Sequence, residues 1–284
     1  MSEEKRKNDE KTVEWSFDFS TLGSRFREFL NSLAGDEEVQ HSSFSTPIEG
    51  ASSAEVKIDF SLGLGTISAL EGDELLHAEV DHVGEMRFTV EGDARKRVRL
   101  GQDKVRGVSS SMRQGLRAIA DREDLKWEIG LTPRIPLKLS VDGGVGPTKM
   151  DLSTLKLEDL DMDCGVGTLD VALAPGKYKV EIDGGVGQTQ VTVPSGAALE
   201  MKIDGGVGAV IVTVPSTMAV RLIAKSGLGS ITVPAGMTRT KGKQEFIENS
   251  GTWEMPGYEL ASERTFIRFD GGVGQFTLRT LETV

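Results

Sequence analysis

Four aspartates recur at intervals of 20 or 21 residues, and this column of carboxylates is the first candidate for chemistry. They are Asp142, Asp163, Asp183 and Asp204. If the repeats stack as strands about 4.8 Å apart, neighbouring carboxylates repel by roughly 1–3.5 kcal/mol unless something compensates. Calcium is one hypothesis, because it prefers carboxylate oxygens. The favoured alternative is that each aspartate accepts hydrogen bonds from the N–H groups of its own turn, since Lys225 interrupts the column.

The other motifs predict no catalytic residue and no cofactor. The glycine-rich loop at 144–146 has neither dinucleotide nor P-loop spacing, and it recurs along the chain, whereas a cofactor site occurs once. Residues 153–156 match the SxxK spacing of serine acyl-enzymes, but no SDN or KTG motif accompanies them. Cys164 replaces a small glycine, which favours a buried or half-buried thiol over a nucleophile. We therefore predict that the protein is not an enzyme.

The aspartates begin a five-residue turn that occurs seven times. DGGVG starts at residues 142, 183, 204 and 270, with the variants DCGVG at 163, KSGLG at 225 and SLGLG at 61. The third and fifth positions are always glycine: Gly63, Gly65, Gly144, Gly146, Gly165, Gly167, Gly185, Gly187, Gly206, Gly208, Gly227, Gly229, Gly272 and Gly274. We predict that both positions need positive φ and that the Val or Leu between them points inward.

Between the turns, apolar residues alternate with polar ones. Val180 and Ile182 alternate with Lys179 and Glu181, which is the period of a β-strand with one buried face. Each repeat therefore forms two short strands, and one coil can bury its apolar face only by stacking on others. The prediction is an all-β parallel β-helix, or β-solenoid, with coils of 20–21 residues. The gap of 81 residues from 61 to 142 predicts about four coils, and the gap of 45 from 225 to 270 predicts one coil plus an insert.

Residues 1–47 form a polar N-terminal segment in which 20–35 is a predicted amphipathic helix. Residues 36–54 are polar and rich in serine, which predicts a linker. The helix either covers the open end of the solenoid or docks to a partner or membrane surface. Its candidate partner contacts are Phe26, Phe29, Leu30 and Leu33.

The rest divides into irregular coils at 48–141 and the regular solenoid at 142–284. The first part contains a basic insert at 95–126, with ten Lys or Arg and four acids. We predict that this insert is solvated and paired with the protein's own acids, the alternatives being phosphate, anionic lipid or RNA. The second part contains an insert at 237–264, where Trp253 and Tyr258 are candidate partner contacts.

Composition limits the partners and the compartment. The net charge of −11 disfavours nucleic acid. A single cysteine excludes an internal disulfide and fits a reducing compartment. Residues 1–12 contain no apolar signal-peptide core, and the longest uncharged run, 205–220, is too short to span a membrane. We therefore expect a cytoplasmic protein, peripheral at the membrane at most, with no integral membrane segment.

The serial GVG turns, the VTVP strands and the segment GTWEMPGYELASERTFIRFDGGVG at 251–274 resemble the LiaF-like family, the cell-wall-active antibiotics response proteins with toast-rack β-helix domains. The resemblance covers roughly residues 48–282. It implies a right-handed β-helix and a non-enzymatic role in envelope-stress signalling, as the restraining partner of a two-component sensor kinase. GVG repeats also occur in adhesin-like proteins of similar coil.

Three functions follow as hypotheses. The favoured one is a bacterial regulatory or interaction module that binds a protein partner as a monomer or a small homo-oligomer. The second is a structural scaffold that self-assembles end to end. The third, an adhesin-like protein, requires export.

Overall fold

The computed structural model describes residues 39–82, 84–102, 125–244 and 249–281 of the 284-residue chain. The described residues form one sheet of eighteen strands. The first nine strands are β1 Gln40–Pro47, β2 Ser53–Leu62, β3 Leu64–Ala69, β4 Glu74–His82, β5 Met86–Glu91, β6 Arg95–Gln102, β7 Lys126–Leu131, β8 Leu137–Val145 and β9 Thr148–Asp151. The others are β10 Leu157–Asp163, β11 Val166–Ala172, β12 Lys179–Asp183, β13 Val186–Thr192, β14 Glu200–Pro215, β15 Ala219–Thr232, β16 Thr238–Gln244, β17 Asn249–Glu254 and β18 Arg264–Leu281. A single 3-10 turn, Tyr258–Leu260, is the one helical element among the described residues.

The repeats form parallel coils, as the sequence predicts. Each coil has an extended segment before the glycine turn and another after it, and these segments lie in two parallel stacks. In β14, β15 and β18 the two segments form one continuous strand through the turn. Asp142 is in register with Asp163, Asp163 with Asp183, and Asp183 with Asp204. These steps of 21, 20 and 21 residues confirm the predicted coil length from β8 to β14.

The inward side chains of each coil form the core. In the coil that begins with β12, Val180 and Ile182 before the turn and Val191 and Val193 after it are each at most 2% exposed. The outward residues before the turn, such as Glu181, are exposed. The predicted period-two alternation is therefore confirmed, and burial of these side chains holds the coils together.

The prediction of four coils between residues 61 and 142 is wrong. β2 pairs directly with β8, so that Asp59 is in register with Asp142. The intervening chain instead supplies a coil from β6 and β7, which stacks on the opposite side of β2 and β3. Length alone misled the prediction because a chain can return to an earlier coil instead of continuing along the stack.

The C-terminal coil is also out of chain order. β18 pairs in parallel with β14 on one side and with β15 on the other, so that Asp270 lies between Asp204 and Lys225. The order of the first stack in space is therefore β6, β2, β8, β10, β12, β14, β18, β15. The chain leaves β15, forms the β16–β17 hairpin and returns to fill the position beside β14.

Antiparallel strands cover both ends of the first stack and the β7 end of the second. β17 pairs with the first half of β15 and with β16, while β4 pairs with β7, β5 with β6, and β1 with β4. β1 lies within residues 36–54, so the linker prediction is wrong there. Its alternating side chains explain the strand, because Thr46 is buried and the ring of Phe44 lies 5.3 Å from that of Phe88.

Several predictions fall outside the described residues. The helix at 20–35, with Phe26, Phe29, Leu30 and Leu33, is among them, as is most of the basic insert at 95–126. The described beginning of that insert is β6, a strand of the sheet and not a separate insertion. The division at residues 47 and 141 stays a prediction. No helix in the described ranges is long and apolar enough to cross a membrane.

Candidate interaction surface

The fifth glycines of the turns form a continuous column with left-handed backbone. Along the stack they are Gly63, Gly146, Gly167, Gly187, Gly208, Gly274 and Gly229, with φ between 118° and 158°. A Cβ atom at Gly187 would lie 1.7 Å from the carbonyl oxygen of Gly167. Both the positive φ and the approach of the neighbouring backbone therefore require glycine here, as predicted for this position.

The third glycines are required for a different reason from the one predicted. In the six copies that start at residues 142–270, none of them has positive φ. A Cβ at Gly185 would instead lie 1.7 Å from the carbonyl oxygen of Gly165 and 1.9 Å from that of Cys164. Close approach of adjacent coils, and not backbone conformation, excludes a side chain at this position.

The turn near residue 61 is shifted by two residues from its predicted register. Asp59 pairs with Asp142, and Leu62 with Val145. Gly63 therefore corresponds to the fifth glycine of the other turns and has the positive φ predicted for it, whereas Gly65, for which positive φ was also predicted, lacks it. The SLGLG string conceals this register because it contains two glycines at the spacing of the motif.

The apolar residue between the two glycines points outward, so the prediction that it points inward is wrong. Its exposure ranges from 40% to 61% in Val166, Val186, Val207, Val273 and Leu228. The second position faces the interior instead, since Ser226 there is 2% exposed. The corner residue between them has no side chain, so the alternation of inward and outward residues shifts by one at the corner.

These five outward residues form what we call the apolar ladder. Successive members are in register in the parallel pairings, in the order Val166, Val186, Val207, Val273, Leu228. Parallel strands are spaced by about 4.8 Å, so the ladder is about 19 Å long. It runs along the glycine corner, parallel to the axis of the solenoid.

Beside it runs an acidic ladder, whose members are Asp59, Asp142, Asp163, Asp183, Asp204 and Asp270. The predicted column of four is therefore confirmed and extended, and Lys225 follows Asp270 at its end. Asp59 was missed because of the shifted register of the first turn.

In the acidic ladder, the hydrogen bond of Asp204 differs from the predicted one. Its carboxylate accepts a hydrogen bond from Lys202 Nζ at 2.6 Å, not from a turn N–H, and this bond raises the pKa of Lys202. Nowhere in the described chain do three or more His, Cys, Asp or Glu side chains come together in a way that could hold a metal ion. Calcium binding by the four aspartates stays a hypothesis.

Cys164 lies under the glycine corner as a free, half-buried thiol, in agreement with its predicted role as a small packing residue. Burial raises its pKa to about 11, although a hydrogen bond with the Thr189 side chain acts in the opposite direction. Such a thiol is almost entirely protonated near neutral pH and therefore a poor nucleophile.

The two described aromatic candidates for partner contact pack inside the protein instead. Trp253 and Tyr258 are each 7% exposed. The guanidinium of Arg239 lies 5.1 Å from the Trp253 ring centroid, and that of Arg221 lies 4.3 Å from the Tyr258 ring. The insert at 237–264 therefore uses its aromatic residues to hold the end of the stack.

Comparison with known proteins identifies the domain and the fold. Residues 35–192 match the family model of the N-terminal domain of toast_rack, DUF2154. A candidate cell adhesion protein from Clostridium sporogenes has a similar crystal structure, with a TM-score of 0.57 and 17% identity over 86% of this chain and 100% of that chain. At that identity the likeness shows the fold alone.

A candidate adhesin from Bacteroides fragilis aligns with a TM-score of 0.27 and 8% identity, over 85% of this chain and 97% of that chain. This score is too low to support an inference. No curated protein matches the chain.

Proposed function

The chain belongs to the family of the toast_rack N-terminal domain, DUF2154, and we propose that it is a non-enzymatic interaction module that binds a protein partner along the apolar ladder. The observation that carries this proposal is the outward direction of five aligned apolar side chains. Solitary exposed apolar residues are ordinary, whereas a contiguous row of them is typical of a contact surface.

The ladder supplies a useful but limited free energy of binding. Covering the exposed half of one such side chain stabilises a complex by about 1 kcal/mol, so five contribute about 5 kcal/mol. Association costs roughly 4–15 kcal/mol in lost freedom. The apolar ladder alone therefore supports a weak contact, and a stable complex needs further interactions.

The first experiment replaces the apolar surface without changing its shape. Threonine keeps the β-branched form of valine, so V186T/V207T should preserve the turn while reducing its apolar area. Ile223→Thr is the matched control, because Ile223 is a β-branched residue with 39% exposure outside the ladder. Each variant is purified from its host, and the proteins retained with it are identified by mass spectrometry.

We expect V186T/V207T to lose a partner that the native chain and Ile223→Thr both retain. Retention of the same partners by all three proteins would remove the ladder as the binding surface. Thermal unfolding of each variant serves as the check that the fold is intact.

The finer parts of the function come from the family resemblance. We propose a regulatory role in the response to cell-envelope stress, with a two-component sensor or another component of that response as the partner, in a cytoplasmic protein peripheral at the membrane. The test is to fractionate host cells before and after treatment with a wall-active antibiotic and to identify the partners bound to the chain in each fraction. Partner loss or gain on treatment supports the regulatory role, and an unchanged partner set contradicts it.

The alternative of a self-assembling scaffold has less support. At the β15 end of the first stack β16 is the outermost described strand, and it carries Arg239 and Lys241 with a register shift between them, whereas in the second stack residues 228–232 of β15 are the last described strand. Charges and irregular register on an end strand discourage pairing with another chain. An adhesin-like role is the other alternative, and finding the protein outside the cell would favour it.

A further inference from the structure

We infer that the segment docking on the apolar ladder is a cationic amphipathic α-helix of the partner, lying along the solenoid axis with its basic flank over the acidic ladder. This inference rests on the proposed function and specifies the chemistry of the partner. Three features support it: the charge beside the ladder, the spacing of the ladder and the state of its backbone.

The charge beside the apolar ladder is asymmetric. In four of the five turns of the apolar ladder an aspartate is three residues before the apolar residue, as Asp183 is before Val186, so the two are at most about 11 Å apart. In the last turn Lys225 holds this position before Leu228, so the acidic flank covers the first four members. Two residues after the apolar residue comes an uncharged row, with members Thr168, Gln188, Ala209, Gln275 and Ser230 in register. A complementary partner thus needs cations on one flank of its apolar stripe and neutral groups on the other.

The spacing of the ladder fits a helix better than an extended chain. Successive apolar residues are about 4.8 Å apart, while an amphipathic helix presents one apolar position about every 5.4 Å. Over the four intervals from Val166 to Leu228 the accumulated mismatch is about 2.4 Å. Same-face residues of an extended strand are about 6.7 Å apart, and their mismatch would reach about 8 Å. A helix of about 13 residues covers the ladder.

The backbone at the ladder also disfavours pairing with an added strand. The inner strands of the ladder have neighbours on both sides, as the Val186 strand does with β11 and β14, while the Leu228 strand is paired with β18 on one side. Their N–H and C=O groups are already used within the sheet, and a partner contacts side chains alone. β-Strand addition needs a free edge and is therefore excluded at the inner members of the ladder.

The test uses the full chain and two labelled helical peptides of about 18 residues. Both carry the same leucine stripe; one has lysines on a single flank, and the other has glutamates there. Binding is measured by fluorescence anisotropy at low and high salt. At low salt we expect the lysine peptide to bind at least about tenfold more tightly than the glutamate peptide. This difference should shrink at high salt, because salt screens the charges of the acidic ladder.

Matched charge variants locate the effect. D163N/D183N/D204N should weaken binding of the lysine peptide about tenfold, since each exposed charge contact contributes about twofold. E91Q/E128Q/E263Q changes the net charge equally at exposed positions off the ladder, and we expect less than a twofold effect. Equal effects of the two triple variants, or none from the first, would overturn the inference.

The outcomes separate this inference from the proposed function. If D163N/D183N/D204N binds normally while V186T/V207T loses its partner, the surface is an interaction site but the partner is not cationic. If sedimentation shows a dimer of this chain that V186T/V207T abolishes, a second copy occupies the ladder and the inference is wrong.

Discussion

Replacing single glycines with alanine separates the two physical demands of the corner. Gly185 lacks positive φ but has no room for a Cβ; Gly196 has a φ of 78°, and its nearest neighbour would be 3.7 Å away. Gly187 combines a φ of 143° with a contact of 1.7 Å. Gly236 has neither demand, since nothing lies within 4 Å of its Cβ position and its φ is not positive. Together they form a series with an internal control.

The cost of Gly185→Ala follows from its contacts. Moving the new Cβ from 1.7 Å to an ordinary contact shifts the chain by more than 1 Å between two neighbours. The shift strains two backbone hydrogen bonds, from Val186 N to Gly165 O at 2.9 Å and from Val207 N to Gly185 O at 3.0 Å. Each contributes about 1 kcal/mol, and overpacking adds about 1–3 kcal/mol. We therefore expect the free energy of unfolding to fall by about 3–5 kcal/mol.

The other members fix the scale. Gly196→Ala should cost about 1–2 kcal/mol from the left-handed backbone alone. Gly236→Ala should change stability by less than about 0.5 kcal/mol, and Gly187→Ala should cost more than Gly185→Ala. Urea unfolding followed by circular dichroism measures all four midpoints. If Gly185→Ala cost no more than Gly236→Ala, the coils would not be packed backbone to backbone at the corner.

Three further predictions concern single side chains. Because burial raises the pKa of Cys164 to about 11, its thiol should react with Ellman's reagent far more slowly in the native protein than in urea, and equal rates would contradict its burial. The hydrogen bond to Asp81 raises the pKa of His41, so the stability that protonated His41 contributes is present below its unfolded pKa and is lost as pH rises through its folded pKa. His41→Asn should therefore lower the free energy of unfolding more at about pH 5.5 than at about pH 8. An equal loss of stability at both pH values would refute this. Lys96 is 5% exposed and donates hydrogen bonds to the Glu49 carboxylate and the Pro47 carbonyl, both at 2.8 Å. Lys96→Met should therefore lower the free energy of unfolding by about 2 kcal/mol, as measured by urea midpoints. Lys57→Met, at an exposed position, should change it little.

Local features of the fold were predictable because they depend on neighbours in sequence. Period-two alternation places Val180 and Ile182 inside, and the recurring turn predicts the register of Asp163 with Asp183, which the structure confirms. The order of coils was not predictable in this way. The placement of β18 between β14 and β15 depends on pairing between distant segments, and every DGGVG turn presents nearly the same surface to a neighbour.

The acidic half of the candidate site was largely predictable from the sequence, and the apolar half was not. The sequence identifies the aspartate column, but Val186 and its equivalents were predicted to point inward. Strict alternation fails at the corner because the intervening glycine, such as Gly185, belongs to neither face. The second position of the turn carries the signal that could have revealed this. In the copies that start at residues 142–270 it is glycine except at Cys164 and Ser226. Such consistently small residues indicate that this position faces a crowded interior.

Photo-cross-linking in the native host locates the contact most directly. A cross-linking amino acid is placed singly at Val186, at Val207 or at Glu181, which is an exposed position on the first stack away from the corner. We predict that Val186 and Val207 give an adduct with the same partner protein and that Glu181 gives none. An adduct at Glu181 alone, or equal adducts at all three positions, would show that the glycine corner is not the binding surface.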